Sequence, residues 1–122
     1  MLKNSLFKIM NKIKKLIIAC DGEAASGKST GAKLLSKKYN LLLINSGLFY
    51  RYSSKLIIQK KPKNIINFLK KELKMISYQK IAKQELHSEA ISNHVGVLAK
   101  NKKVREIVNQ LQMKIIKNNK RI

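Results

Sequence analysis

An α/β fold, a parallel sheet with flanking helices, is predicted by two short apolar runs and the amphipathic stretch that separates them. Leu16-Ile17-Ile18-Ala19-Cys20 and Leu41-Leu42-Leu43-Ile44 are continuous apolar segments, closed by Asp21-Gly22 and by Asn45-Ser46-Gly47. Strands buried on both faces have this pattern. Between them, from Lys28 to Tyr39, Ala32, Leu34 and Leu35 alternate with Lys33, Ser36, Lys37 and Lys38. That alternation suits an amphipathic helix stopping near Asn40. Strand, glycine loop, helix, strand is the opening of a βαβ unit.

The remaining elements follow from periodicity and breakers. Leu48 to Lys60 reads as a helix with Tyr50 and Arg51 in its first turn, and Lys61-Pro62 breaks it. After Pro62 a further helix carries Ile65, Ile66, Leu69 and Leu73 on one stripe. Met75 to Leu86 has no strong period and is assigned one or two short strands. Ser88 can cap a helix running to about Ala99. Asn101 introduces a last helix, from about Val104 to Lys117, whose stripe is Val104, Ile107, Val108, Leu111 and Ile115. No internal repeat is visible.

With 122 residues the chain makes one domain at most. Apolar residues make up 44% of it, enough for a packed core and too many for a disordered tail. Lys and Arg number 27 against 6 acidic residues, a formal charge of +21, and the pI is about 10.3. Such a balance attracts phosphate in any form: nucleotides, nucleic acids or anionic membrane surfaces. The basic residues are spread along the whole chain, as solvated helix faces require, and form no Arg-rich block. Cys20 is the one cysteine, so neither an intrachain disulfide nor a four-ligand zinc set is available. The apolar run Leu16 to Cys20 is far shorter than the ~20 residues of a membrane helix. A cytoplasmic location without membrane association is therefore expected. Met1 to Lys15 is basic and lacks acids, and is read as a leader or an over-long start.

Gly22-Glu23-Ala24-Ala25-Ser26-Gly27-Lys28-Ser29 fits the pattern G-x-x-x-x-G-K-S/T without a gap. Four residues between the glycines let the backbone curl so that several N–H groups point at phosphate oxygens. Gly22 and Gly27 permit the tight turn. Lys28 can reach the β and γ phosphates, and Ser29 can set its hydroxyl on Mg²⁺. The helix starting here adds its positive dipole end. A strand before and a helix after are the context this P-loop motif requires.

The segment Asp21-Gly22-Glu23-Ala24-Ala25-Ser26-Gly27-Lys28-Ser29-Thr30 resembles the D-G-x-A-A-S-G-K-S-T opening of bacterial cytidylate kinases. Asn45-Ser46-Gly47-Leu48-Phe49-Tyr50-Arg51 resembles that family's D-S/T-G-x-x-Y-R segment. Leu86-His87-Ser88-Glu89-Ala90-Ile91-Ser92-Asn93 is similar to its I/L-R-T/S-x-x-V-S/A-N stretch, and Val104-Arg105-Glu106 with Leu111-Gln112 to its V-R-E and L-Q pair. Four segments in the right order span Leu16 to Gln112. The resemblance implies a P-loop NTPase fold like that of the nucleoside monophosphate kinases, and transfer of the γ-phosphoryl of ATP to CMP or dCMP. It implies that Gly22, Glu23, Ala24, Ala25, Ser26, Gly27, Lys28, Ser29 and Thr30 hold ATP, with Lys28 also catalytic and Ser29 a ligand of the Mg²⁺ cofactor. Ser46, Tyr50 and Arg51 would contact the acceptor nucleotide, and Arg105 its phosphate, where a guanidinium fork suits bidentate contact. By the residues alone, Tyr50 is a half-buried helix aromatic and Arg105 a solvated helix charge.

Departures from the family pattern are Glu23 where proline is common, Asn45 for aspartate, His87 for arginine and Gly96 for serine. His87 and Gly96 bear on selectivity for the base. With residues 1–15 read as a leader or over-long start, the resemblance makes 16–122 an incomplete kinase domain. Within the latter, 16–60 is the core opening, about 61–100 the nucleoside-monophosphate-binding insert and 101–122 a return helix. The family's third core strand, its D-G-R-D segment and its Arg-rich lid would follow Ile122. Leu16 to Cys20 would then lack both of its strand neighbours, each buried unpaired backbone group costing on the order of 1 to 3 kcal/mol. A marginally folded fragment, a monomer whose activity alone is in doubt, is the expectation. Two further classes fit less of the chain: another P-loop kinase of nucleoside monophosphates or small molecules, and a basic nucleic-acid-binding protein supported only by net charge. No specific nucleic acid partner is expected.

Overall fold

The computed structural model describes residues 16–19 and 28–122, the side chains of Lys28 and Ser29 excepted. The helices are α1 (Lys28–Tyr39), α2 (Ser46–Lys60), α3 (Ile65–Met75), α4 (Tyr78–Ala82), α5 (Glu89–Leu98) and α6 (Lys102–Asn118). The described residues fall into two compact units: those within Met1–Ile44 together with Ile115–Ile122, and Asn45–Lys114. No helix among the described residues is long and apolar enough to cross a membrane.

In the first unit α1 has the bounds that its sequence pattern predicts. It ends because Asn40 takes the left-handed conformation, with φ 52°, which asparagine tolerates better than most residues. The Leu41 amide then donates to the Ser36 carbonyl at 2.9 Å, and the Ser36 hydroxyl donates to the Leu41 carbonyl at 2.8 Å. These bonds satisfy groups that a helix end would otherwise leave orphaned. The apolar face of α1 is narrower than the sequence suggests: Leu34 is 64% exposed.

No strand is formed among the described residues, so the expected parallel sheet is reduced to an isolated parallel bridge between Leu16 and Arg121. Leu16 donates to the Lys120 carbonyl at 2.7 Å, Ile122 to that of Leu16 at 2.9 Å, and Ile18 to that of Ile122 at 2.8 Å. On the other side, Leu42 donates to the Arg121 carbonyl at 2.9 Å. Because successive residues of an extended chain point their backbone groups to opposite sides, Lys120 to Ile122 is bonded along both edges. Leu16 and Ile18 therefore do not lack both neighbours, as the sequence led us to expect: the last three residues supply one. Cys20, the end of the predicted first strand, lies outside the described residues.

The second unit is built by caps and apolar burial. Asn45 caps α2, its side chain accepting from the Gly47 amide at 3.0 Å, so the helix begins two residues before the predicted Leu48. Lys61 ends it in the left-handed region at φ 45°, its amide bonded to the Ile57 carbonyl, just before Pro62. Asn64 caps α3, and Leu69 and Leu73 of the predicted stripe are buried. Met75 to Leu86 is not a pair of strands: Ser77 accepts from the Lys80 amide at 3.3 Å and starts the short helix α4, which buries Ile81. Five residues are too few for the 3.6-residue period to declare itself. Ser88 caps α5 through the Ile91 amide at 3.2 Å. Asn101 accepts from the amides of Lys103 at 3.0 Å and Val104 at 3.3 Å, which starts α6 at Lys102. The helix α2 packs against α3, α4 and α5, with Phe49, Leu69, Ile81, Leu86 and Val104 fully buried.

Candidate functional site

Two groups of residues qualify, one in each unit. Of the phosphate cradle, Gly22, Glu23, Ala24, Ala25, Ser26 and Gly27 lie outside the described residues. Lys28, Ser29 and Thr30 are the first three residues of α1, and Thr30 is exposed. The first turn of α1 carries no acidic residue, so its amide-rich end keeps the positive partial charge that favours an anion.

Ser46, Tyr50, Arg51 and Arg105, the residues that the resemblance assigns to the acceptor, lie on α2 and α6. Ser46 is the first residue of α2 and is exposed. The cap beneath it is tight, since a Cβ on Gly47 would approach the Asn45 side-chain oxygen to 3.2 Å. Tyr50 and Arg51 lie in the second turn and are half-buried. Burial pushes the Tyr50 hydroxyl above its ordinary pKa, because the phenolate would be poorly solvated, and the Arg105 charge works against that rise. Tyr50 and Arg105, distant in sequence, are thus electrostatic neighbours.

Both arginines are held by carbonyls. Nη1 of Arg51 donates to the Leu86 carbonyl at 3.0 Å and to the Ser92 hydroxyl at 3.1 Å. Nη1 of Arg105 donates to the carbonyls of Ala99 and Lys100, each at 3.1 Å, next to the C-terminus of α5, where cations are stabilised. Arg105 is exposed, as the residues alone suggest, yet it is braced rather than waving in solvent.

Two supporting residues escaped the sequence reading. The Asn45 amide donates to the Tyr78 hydroxyl at 2.8 Å, and the Tyr78 ring packs on Phe49 with centroids 5.5 Å apart. Tyr78 sits in the stretch assigned to strands, so nothing in the sequence pointed to it. Ser92 belongs to a matched segment, but only its hydrogen bond to Arg51 shows its use. Deeper in the unit, Nδ1 of His94 lies 2.9 Å from the hydroxyl of Ser54, which is fully buried. Of the departing positions, His87 is exposed, and a Cβ on Gly96 would meet nothing within 4 Å. Neither props up the unit.

The family model for cytidylate kinase matches residues 18–122. The chain is 33% identical over 113 residues to the cytidylate kinase of Clostridioides difficile, covering 82% of this chain and 51% of that protein. With the cytidylate kinase of Lactococcus lactis it shares 31% over 119 residues, 87% of this chain and 54% of the relative. With the bifunctional pantoate ligase/cytidylate kinase of Prochlorococcus marinus strain AS9601 it shares 36% over 115 residues, 81% of this chain and 23% of the relative. The chain spans about half the length of the curated cytidylate kinases it matches. No solved structure matches it.

Proposed function

The chain belongs to the cytidylate kinase family, and on that premise we propose that it supplies the triphosphate cradle and part of the acceptor site of a kinase that phosphorylates CMP and dCMP from ATP. The observation that carries this reading is the grouping of Tyr50, Arg51 and Arg105 in one unit, with both guanidinium groups braced by carbonyls. A half-buried tyrosine that feels the Arg105 charge, with a second braced guanidinium at Arg51, suits a nucleoside monophosphate, which presents one anionic end and one aromatic end.

Phosphoryl transfer asks little covalent chemistry of a protein, and positioning with charge neutralisation does most of the work. In this reading Gly22 to Thr30 wraps the triphosphate with backbone amides and Lys28 neutralises charge between the β and γ phosphates. Ser46, Tyr50, Arg51 and Arg105 hold the acceptor; in the transfer a phosphate oxygen of the acceptor bonds to the γ-phosphorus while the bond from that phosphorus to the β–γ bridging oxygen breaks and ADP leaves. Extended segments at Leu16 to Ile18, Lys120 to Ile122 and Leu42 are, on the same reading, the start of the family's parallel sheet. Mg²⁺ is commonly held by substrate phosphates, water and one or two protein ligands. Ser29, at the second position of α1, is the ligand this chain would give. When bound, the ion neutralises β and γ phosphate charge.

Calorimetry with Mg-ATP and, separately, with CMP tests the assignment. The unaltered chain is expected to bind both. Lys28→Ala should lose ATP, a charge-assisted contact being worth tenfold or more in affinity, roughly. Arg51→Ala should spare ATP and weaken CMP. Equal loss of both ligands in the second variant would argue against separate sites, and no uptake of either by folded protein would overturn the function.

A further inference from the structure

We propose that Ser92 is a positioning residue that presets the Arg51 guanidinium for the phosphate of the acceptor. This rests on the acceptor-site reading above and deepens it. Guanidinium is planar and rigid, so fixing one nitrogen with two acceptors fixes the directions of the remaining N–H groups. Here both bonds leave from Nη1, and among the described residues Nε and Nη2 take no partner. The unused edge holds parallel donors, the arrangement that meets a carboxylate or phosphate bidentately. An acceptor nucleotide offers such an anion only at its phosphate, so the braced fork addresses that group and neither base nor ribose.

The two anchors differ in kind. The Leu86 carbonyl is fixed by burial, since Leu86 is fully withdrawn from solvent. Ser92 is exposed and one turn into α5, which Ser88 caps. Removing its hydroxyl strands no buried atom, and alanine is the best helix former, so Ser92→Ala should leave the fold intact. It takes away only one of two constraints on Arg51, and a long side chain that must order itself on binding costs affinity.

The test is calorimetry of the full chain with CMP and with cytidine at one ionic strength, for the unaltered protein, Ser92→Ala and Ser92→Thr. Ser92→Ala is expected to weaken CMP about threefold to tenfold, while cytidine, Mg-ATP and the thermal midpoint stay unchanged. Ser92→Thr keeps a hydroxyl on the same helix turn and should restore CMP affinity. A ligand-free readout accompanies it: the Arg51 Nε–H resonance should become more mobile in Ser92→Ala and recover in Ser92→Thr. Unchanged CMP affinity in Ser92→Ala, or equal weakening of CMP and cytidine, overturns the inference while leaving the proposed function standing. If the unaltered chain binds no nucleoside monophosphate, the function and this inference fall together.

Discussion

In Asn45–Lys114 five apolar side chains, from Phe49 to Val104, are completely withdrawn from water, whereas in the other unit Tyr39 and Leu41 are the described side chains buried to a tenth or less exposure. What orders that other unit is backbone pairing: Leu16 and Ile18 with Lys120 and Ile122, and Leu42 with Arg121. One unit is thus held by burial among helices near each other in sequence, and the other by hydrogen bonds that join opposite ends of the chain. Contacts of the first kind close short loops, while those of the second must meet the entropy of closing a long one. Residues proposed for the acceptor sit on the burial-driven unit, and Lys28 to Thr30, the described residues among those proposed for the triphosphate, belong to the pairing-driven one.

Phe49→Ala tests this contrast most severely. Truncating a fully buried phenylalanine leaves a cavity and costs about 3 to 5 kcal/mol, and here it also removes the ring against which Tyr78 packs. Denaturant unfolding followed by helix signal should show that loss, with α2, α4 and α5 exchanging amide hydrogens faster. The Leu16, Ile18, Leu42 and Ile122 amides are expected to keep their protection. If they lose it in parallel, burial in one unit supports pairing in the other and the contrast breaks.

Arg121→Ala probes the opposite side. Its guanidinium donates to the Tyr39 carbonyl and, at 3.4 Å from Nε, to that of Asn40, at the end of α1 where carbonyls lack helical partners. Loss of a charged donor there is expected to cost about 1 to 2 kcal/mol of local stability. The check is faster exchange at the Leu41 and Leu42 amides, with the thermal transition of the helical unit unmoved.

How much of this was legible in the sequence follows the same division. Caps announce themselves locally: Ser88 and Asn101 stand before apolar-periodic runs, and both hold the helices they precede. The stripe of α6 was visible, and its Val104, Ile107 and Val108 are buried. Short α4 was not, because Tyr78 to Ala82 gives too few residues for a period and Ser77 looks like any loop serine. Leu34 carried an apolar signal with no partner to bury it among the described residues. Pairing of Leu16 with Lys120 to Ile122 could not be read, because a parallel bridge between chain ends leaves no local mark. In the candidate site the identities of Ser46, Tyr50, Arg51 and Arg105 came from the family resemblance. Their supports did not: Arg51 meets Ser92 41 positions away, and only folding brings the two together.

The mildest test concerns Tyr50 and Arg105, and it bears on the proposal that the helical unit holds the acceptor. Tyr50 is shifted upward by burial, and the Arg105 charge opposes the shift. Arg105→Ala should therefore move the Tyr50 ionisation further up, seen by ultraviolet difference titration or its ring resonances. The direction follows from charge: a nearby cation favours phenolate, so its removal disfavours it. Stability follows with a definite sign. Because the folded protein holds the phenol proton more tightly than the unfolded chain, this contribution is whole below about pH 10 and lost as pH rises from there through the folded pKa. Tyr52 is also raised, by burial first and by the Glu72 charge second, so the alkaline loss should shrink but not vanish in Tyr50→Phe. An unmoved Tyr50 ionisation in Arg105→Ala would mean that the two side chains do not share a surface, and Arg105 would then have no place in an acceptor site built on α2.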